Sequence, residues 1–217
     1  MKLRSIELPP QQPGLARALV LLHGYGADEH DLLPLAHYLD PRLRAVSLQA
    51  PLSMGGTQRA WYSLNRAGRG ISFNAAEAQE GARLVTLAVE ELARTSPRPF
   101  LLGFSQGASM ALAVALTRPE LIAGVLSLSG VPARLEPAQL AAPAALRGFP
   151  VFAAHGTLDD VVPIDMGRAN RAELGRLGCE VSWHEYPMGH VVLPEELDAA
   201  RAWLLPRLAG QTPAEPG

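Results

Sequence analysis

The sequence predicts an α/β fold: a mostly parallel, twisted, doubly wound sheet with helices on both faces. Three observations carry this. Short apolar runs alternate with longer segments whose apolar residues recur at three- and four-residue spacing. Most of the short runs are near-continuously apolar, as strands of a parallel sheet covered on both faces must be. The chain has 217 residues, 48% of them hydrophobic and 18% charged. That is enough for one well-buried core and short for two domains, so a single domain over 1–217 is expected, with loose termini at about 1–14 and 210–217.

The elements follow in chain order. Strands are expected at 16–22, 43–49, 100–104, 124–128, 151–154 and 181–186, and helices at 31–39, 74–95, 107–117, 165–177 and 193–208. The helix at 107–117 carries Ala108, Met110, Ala111, Leu112, Val114, Ala115 and Leu116 and is stopped by Thr117-Arg118-Pro119. Two connections, 50–73 and 129–149, are long, and long connections often build pockets. The first holds Met54, Trp61, Tyr62 and Leu64. These four are the candidate acyl-contacting residues, with core packing beneath the loop as their competing role.

Charge narrows the partners. Nineteen basic against 21 acidic residues leave a net charge of −2, without a block of like charge to attract nucleic acid or an anionic membrane. The first ten residues carry charge where a signal peptide would be apolar, and no apolar run reaches the roughly 18 residues of a membrane span. A cytoplasmic protein without membrane insertion is expected, acting on a small molecule and with room for a homodimer. The one cysteine, Cys179, cannot form an internal disulfide and reads as a small buried apolar side chain. Neither a metal site nor an organic cofactor is called for.

Chemistry concentrates at Gly103-Phe104-Ser105-Gln106-Gly107, which sets a Gly-x-Ser-x-Gly motif between a buried strand and a helix. That context is the signature of a nucleophile elbow, in which glycines remove side chains that would collide across a strained corner. A capping serine in a glycine-rich turn is the plainer alternative, so partner residues must decide. A serine hydroxyl needs a general base, and the base needs an acid, in the chain order Ser, Asp or Glu, His. Downstream of Ser105 lie three histidines, His155, His184 and His190. The first two are held at or in strands, whereas His190 sits in a turn leaving the last strand, at the end where α/β sheets place their sites. The acid should leave another strand's end, and Asp159 and Asp160 both do. An oxyanion hole needs backbone N–H groups: Gln106 follows the serine, and Tyr25, bracketed by Gly24 and Gly26 after the first strand, supplies the second.

With these pieces in place, the chain resembles the small bacterial carboxylesterases, lysophospholipases and acyl-protein thioesterases of the α/β-hydrolase superfamily, over about 19–205. The carriers are Leu22-His23-Gly24-Tyr25-Gly26-Ala27-Asp28, Gln49-Ala50-Pro51, Arg59-Ala60-Trp61-Tyr62, the elbow, His155-Gly156-Thr157-Leu158-Asp159-Asp160-Val161-Val162-Pro163 and Met188-Gly189-His190. The resemblance implies that Asp159 rather than Asp160 is the acid, with His190 the base and Tyr25 and Gln106 the oxyanion donors. It implies a serine ester hydrolase working through an acyl-enzyme on small to medium acyl esters or lysophospholipids. An acyl-protein thioesterase is the alternative, and a silent binding protein the reading from another class. The family often has leucine at Tyr25 and glycine at Ala108, so the Tyr25 ring is expected to narrow the acyl site.

Overall fold

A computed structural model of the chain describes residues 2–15, 17–67, 70–133 and 135–209. Its elements in order are β1 (Ser5–Leu8), β2 (Ala18–Leu22), α1 (Leu33–Leu39), β3 (Arg44–Leu48), β4 (Leu52–Gly55), β5 (Gln58–Ala60), β6 (Leu64–Ala67), β7 (Gly70–Phe73), α2 (Ala75–Ala93), β8 (Phe100–Phe104), α3 (Gln106–Thr117), β9 (Gly124–Leu128), α4 (Pro143–Leu146), β10 (Pro150–Gly156), α5 (Ile164–Arg176), β11 (Glu180–Tyr186) and α6 (Pro194–Ala209).

Seven strands form one sheet in the order β1-β3-β2-β8-β9-β10-β11. Only the β1–β3 pair is antiparallel. The side-chain period of two then divides each central strand between two cores. In β2, Ala18, Val20 and Leu22 enter one core, and Leu19 and Leu21 the other; in β10, Val151 and Ala153 oppose Phe152 and Ala154. Both faces are buried, which is why these strands read as unbroken apolar runs. Helices α2 and α3 cover the first face through Leu84, Val85, Val89, Met110 and Leu112. Helices α1 and α6 cover the second through Leu33, Ala36, Leu39, Ala200, Trp203 and Leu204. Helix α3 is buried along its whole length from Gln106 to Leu116, so its apolar residues form no stripe.

The strand order reverses beside β2: the chain moves outward to β3, then returns to lay β8 on the other side of β2. Loops leaving β2 and β8 therefore part at their C-terminal ends and open a crevice, the usual place for a ligand in such sheets.

Three sequence expectations are corrected. Residues 5–8, expected to be loose, pair with β3 from Ser5↔Leu48 to Leu8↔Ala45. The half-buried alternation of this edge strand is too short to stand out against the apolar runs. The connection 50–73 is not plain loop but two antiparallel hairpins, β4–β5 and β6–β7. The connection 129–149 contains the short helix α4. Ala16 and the tail 210–217 lie outside the described residues.

One buried charge has no chemistry to explain it. Glu196, in the first turn of α6, is wholly buried; its Oε2 accepts the Leu193 N–H at 3.4 Å and its Oε1 finds no partner among the described residues. Burial pushes this carboxyl from the ordinary 4.5 up to about 7. The folded state thus holds its proton more tightly than the unfolded chain, and the stability this contributes is complete below pH 4.5 and lost as pH rises to about 7. Glu196→Gln, permanently neutral, escapes that loss. Its melting temperature relative to the natural protein should climb between these pH values and then level off, as measured by scanning calorimetry across a pH series.

Candidate functional site

The elbow is built by close backbone contact. A Cβ on Gly103 would lie 2.5 Å from both the Cα and N of Ala108, and one on Gly107 would lie 1.9 Å from the Leu22 carbonyl oxygen. Neither position admits any side chain, because the first turn of α3 is pressed against β8 on one side and the end of β2 on the other. Between them Ser105 adopts φ 54 and ψ −117, a conformation costing on the order of 1–3 kcal/mol. Its N–H is tied to the Leu128 carbonyl on the neighbouring strand at 2.9 Å. The result aims Oγ away from the strand, at the positive end of α3.

The structure brings Ser105, His190 and Asp159 together. His190 Nε2 lies 2.9 Å from Ser105 Oγ, and His190 Nδ1 lies 2.7 Å from Asp159 Oδ2. A carboxylate only accepts, so Nδ1 carries the proton and Nε2 is left free to accept from the hydroxyl. The imidazole ring packs on Phe104, centroids 4.7 Å apart. Asp159 Oδ1 accepts the Val161 and Val162 N–H groups at 2.9 and 2.8 Å. Burial by itself pushes this carboxyl up; the His190 hydrogen bond, the Val162 and Val161 N–H groups and the imidazole charge outweigh it and hold it below the usual 3.8. Asp160, the other sequence candidate, is exposed and outside this arrangement. His155 and His184 are also elsewhere: His184 bonds Ser182 at 3.0 Å, and His155 Nε2 donates to the Val162 carbonyl at 2.7 Å.

Gln106 follows the serine in the chain, and the loop carrying Tyr25 comes up against it. A Cβ on Gly24 would be 3.6 Å from Ser105 Cβ, so the backbone just before Tyr25 runs against the serine itself. Among the described residues neither the Tyr25 N–H nor the Gln106 N–H has an acceptor. The Tyr25 loop is clamped by β5, where Gly26 donates to the Arg59 carbonyl and Arg59 donates back to Ala27, each at 2.9 Å. Gly26 takes φ +79, which a glycine adopts without strain. Tyr25 is 41% exposed.

Behind the loop lies a buried hydrogen-bond network. His23 Nε2 accepts the Ala50 N–H at 3.2 Å, which leaves the proton on Nδ1 to donate to the Gly24 carbonyl at 2.8 Å. Burial above all lowers the His23 pKa, so the ring is neutral. Trp61 Nε1 donates to the His23 carbonyl at 2.9 Å. The Gln106 side chain then closes the network: its Oε1 accepts the Trp61 N–H and its Nε2 donates to the Tyr62 carbonyl, each at 2.7 Å. Sequence reasoning gave Gln106 a backbone role only and gave His23 none; the available signal was a polar side chain next to each glycine turn.

This network corrects the acyl-contact assignments for Trp61 and Tyr62. Trp61 is fully buried and Tyr62 nearly so, packed on Phe73 at 5.6 Å, and both belong to the core beneath α2 and α3. They support the loop and offer no surface to a substrate. Leu64 packs half-buried on the same core, and Met54, on β4, is the one exposed member of the four. The thiol of Cys179 is buried and pushed up to about 11, which makes it unreactive. Gln106→Ala would leave the Trp61 N–H without the acceptor it has here, at a cost of about 1–3 kcal/mol, and would remove the amide that donates to the Tyr62 carbonyl. We expect a lower urea midpoint together with reduced turnover, whereas Gln79→Ala, at an exposed position of α2, would change neither.

The chain is similar to known proteins over most of its length. A sequence model of the family described as Phospholipase/Carboxylesterase matches residues 6–205. The chain is 34% identical over 173 residues to acyl-protein thioesterase 1 of Gibberella zeae, covering 74% of each chain. It is 28% identical to acyl-protein thioesterase 1 of Eremothecium gossypii, across 91% of this chain and 90% of that one. Among solved structures, esterase PE8 matches with a TM-score of 0.83 at 32% identity, covering 95% of this chain and 99% of that chain. A carboxylesterase of Bacillus cereus matches in fold, with a TM-score of 0.80 at 24% identity and 94% of each chain covered.

Proposed function

Because the chain belongs to the phospholipase/carboxylesterase family and is an ester-cleaving hydrolase of α/β-hydrolase fold, we propose that Ser105, His190 and Asp159 are its catalytic triad, with Tyr25 and Gln106 as oxyanion donors. The observation that carries the reading is the unbroken hydrogen-bond line from Ser105 Oγ through His190 to Asp159, at 2.9 and 2.7 Å.

Each step follows from the atoms in place. Ser105 Oγ attacks the ester carbonyl as its proton passes to His190 Nε2. The imidazolium so formed is held by the ionised Asp159, and the carbonyl oxygen, now negative, receives the free N–H groups of Tyr25 and Gln106. Collapse of the tetrahedral intermediate expels the alcohol, which leaves with the proton from Nε2. Water, deprotonated by the same nitrogen, attacks the acyl-enzyme, and the acid departs as Ser105 regains its proton. These groups need no metal or organic cofactor to complete the cycle.

Small to medium acyl esters and lysophospholipids fit this chemistry, with Met54 as the remaining acyl-contact candidate from the 50–73 segment. A thioester of an acylated protein is favoured as the second reading by the identity to acyl-protein thioesterases, and it would pass through a similar tetrahedral intermediate. We extend the reading to a single cytoplasmic domain without a nucleic-acid partner, supported by the continuous sheet and the net charge of −2.

With an activated ester, the natural protein should release a burst of one alcohol per protein molecule before steady turnover, and Ser105→Ala should lose both burst and turnover. Full turnover by Ser105→Ala would overturn the assignment. A panel of short and long p-nitrophenyl esters, a lysophospholipid and an S-acylated peptide, compared by kcat/KM, then separates the two substrate readings.

A further inference from the structure

His155 is wholly buried beside the site and takes no part in the steps above. Its setting is specific. The ring is stacked on Trp183 at 6.3 Å and 29°, and Gly167, in the first turn of α5, abuts both rings. A Cβ on Gly167 would be 2.6 Å from His155 Nδ1 and 3.0 Å from Trp183 Cη2, so the helix approaches the ring as closely as a glycine allows. On its other edge Nε2 donates to the Val162 carbonyl at 2.7 Å and passes 3.7 Å from Asp159 Oδ2, too far for a bond. The Val161 and Val162 N–H groups are those that hold Asp159 Oδ1.

We propose that His155 is a positioning residue for the proposed triad: by fixing the Val162 carbonyl it holds the turn at Val161 and Val162 so that its two N–H groups clamp Asp159, with Gly167 and Trp183 fixing the ring. This rests on the assignment of Asp159 and His190 as acid and base. The Val162 carbonyl belongs to the Val162–Pro163 peptide, which carries no N–H, and that peptide meets the Val161–Val162 peptide at the Val162 Cα. Proline restricts the backbone of the residue before it, and a donor on the carbonyl fixes that backbone further, so the direction of the turn carrying the two N–H groups is set. With the Val162 carbonyl freed, the turn can swing. Asp159 would then lose its grip on one oxygen while still touching His190 with the other. Apolar burial of a histidine for packing alone asks for neither the donated hydrogen bond nor the glycine.

Three variants test this. His155→Gln can place a donor where Nε2 stands, His155→Leu removes it, and Gly167→Ala retains every hydrogen-bonding group but drives the ring off its seat. Each is measured for kcat, for KM and for the labelling of Ser105 by an organophosphate, with the labelled fraction and the rate constant recorded separately. We expect His155→Leu and Gly167→Ala to lower kcat and the labelling rate constant by about a hundredfold, as small misplacements of catalytic groups do. KM should be unchanged, labelling should still reach completion, and His155→Gln should recover most of the rate. A natural rate constant in His155→Leu, a fall in labelled fraction only, or His155→Gln no better than His155→Leu would each reduce His155 to packing. If His155→Leu does not fold, Gly167→Ala decides alone. Ser105→Ala run alongside separates the two claims: if it is inert, only the positioning role is at stake, and if it turns over, both fall.

Discussion

The close approach of α3 to the ends of β2 and β8 is the constraint on which the rest depends. Gly107 sits so near the Leu22 carbonyl that a methyl group would overlap it, and Gly103 is equally closed by Ala108. Pressed from both sides, the chain turns from strand to helix in a single residue, and Ser105 carries the strain at φ 54. A strained residue persists only where its surroundings over-determine it. Here they do: the Ser105 N–H is held by Leu128, the Gly24 backbone packs against its Cβ, and the helix behind it is buried throughout. Neighbouring Ser129, at φ 46 and also buried, shows that the adjacent strand ends in a similar sharp turn.

From that corner the remaining geometry is assembled by loops tied to one another rather than to solvent. The β2 loop is held from below by His23 and Trp61 and from the side by Arg59, and Gln106 joins the helix to the same support. Gln106 thus acts through different atoms. Its backbone N–H, proposed as an oxyanion donor, has no acceptor among the described residues, while its side chain ties α3 to Trp61 and Tyr62 and through Trp61 to the β2 loop. Neutral His23 and ionised Asp159 are both buried, their states set by burial in the first case and by N–H donors overcoming burial in the second.

The central strands were legible because burial on both faces removes polar residues from them, and the elbow because its glycines are a steric necessity. His190 could be chosen over His155 and His184 from its turn position alone. Asp159 could not be chosen over Asp160 that way, since composition does not say which of two adjacent carboxylates faces inward; the resemblance supplied that choice, and Asp159 is the one found bonded to His190. Trp61 and Tyr62 were misplaced for a related reason. Aromatic residues in a long connection suit a pocket wall and a buried prop equally, and only the hydrogen bonds to His23 and Gln106 tell them apart. The edge strand β1 and the hairpins of 50–73 are too short for periodicity to register. The clamp around His155 was invisible because it joins a strand, a turn and a helix through one backbone carbonyl.

The central claim is that the strained corner presents Ser105 as the nucleophile. Mass mapping of the intact protein after exposure to a fluorophosphonate tests it most directly. The account predicts one adduct per molecule, located on the peptide containing Ser105, and absent from Ser105→Ala treated in the same way. An adduct on any other residue, or a protein that turns over esters while leaving Ser105 unmodified, would contradict it.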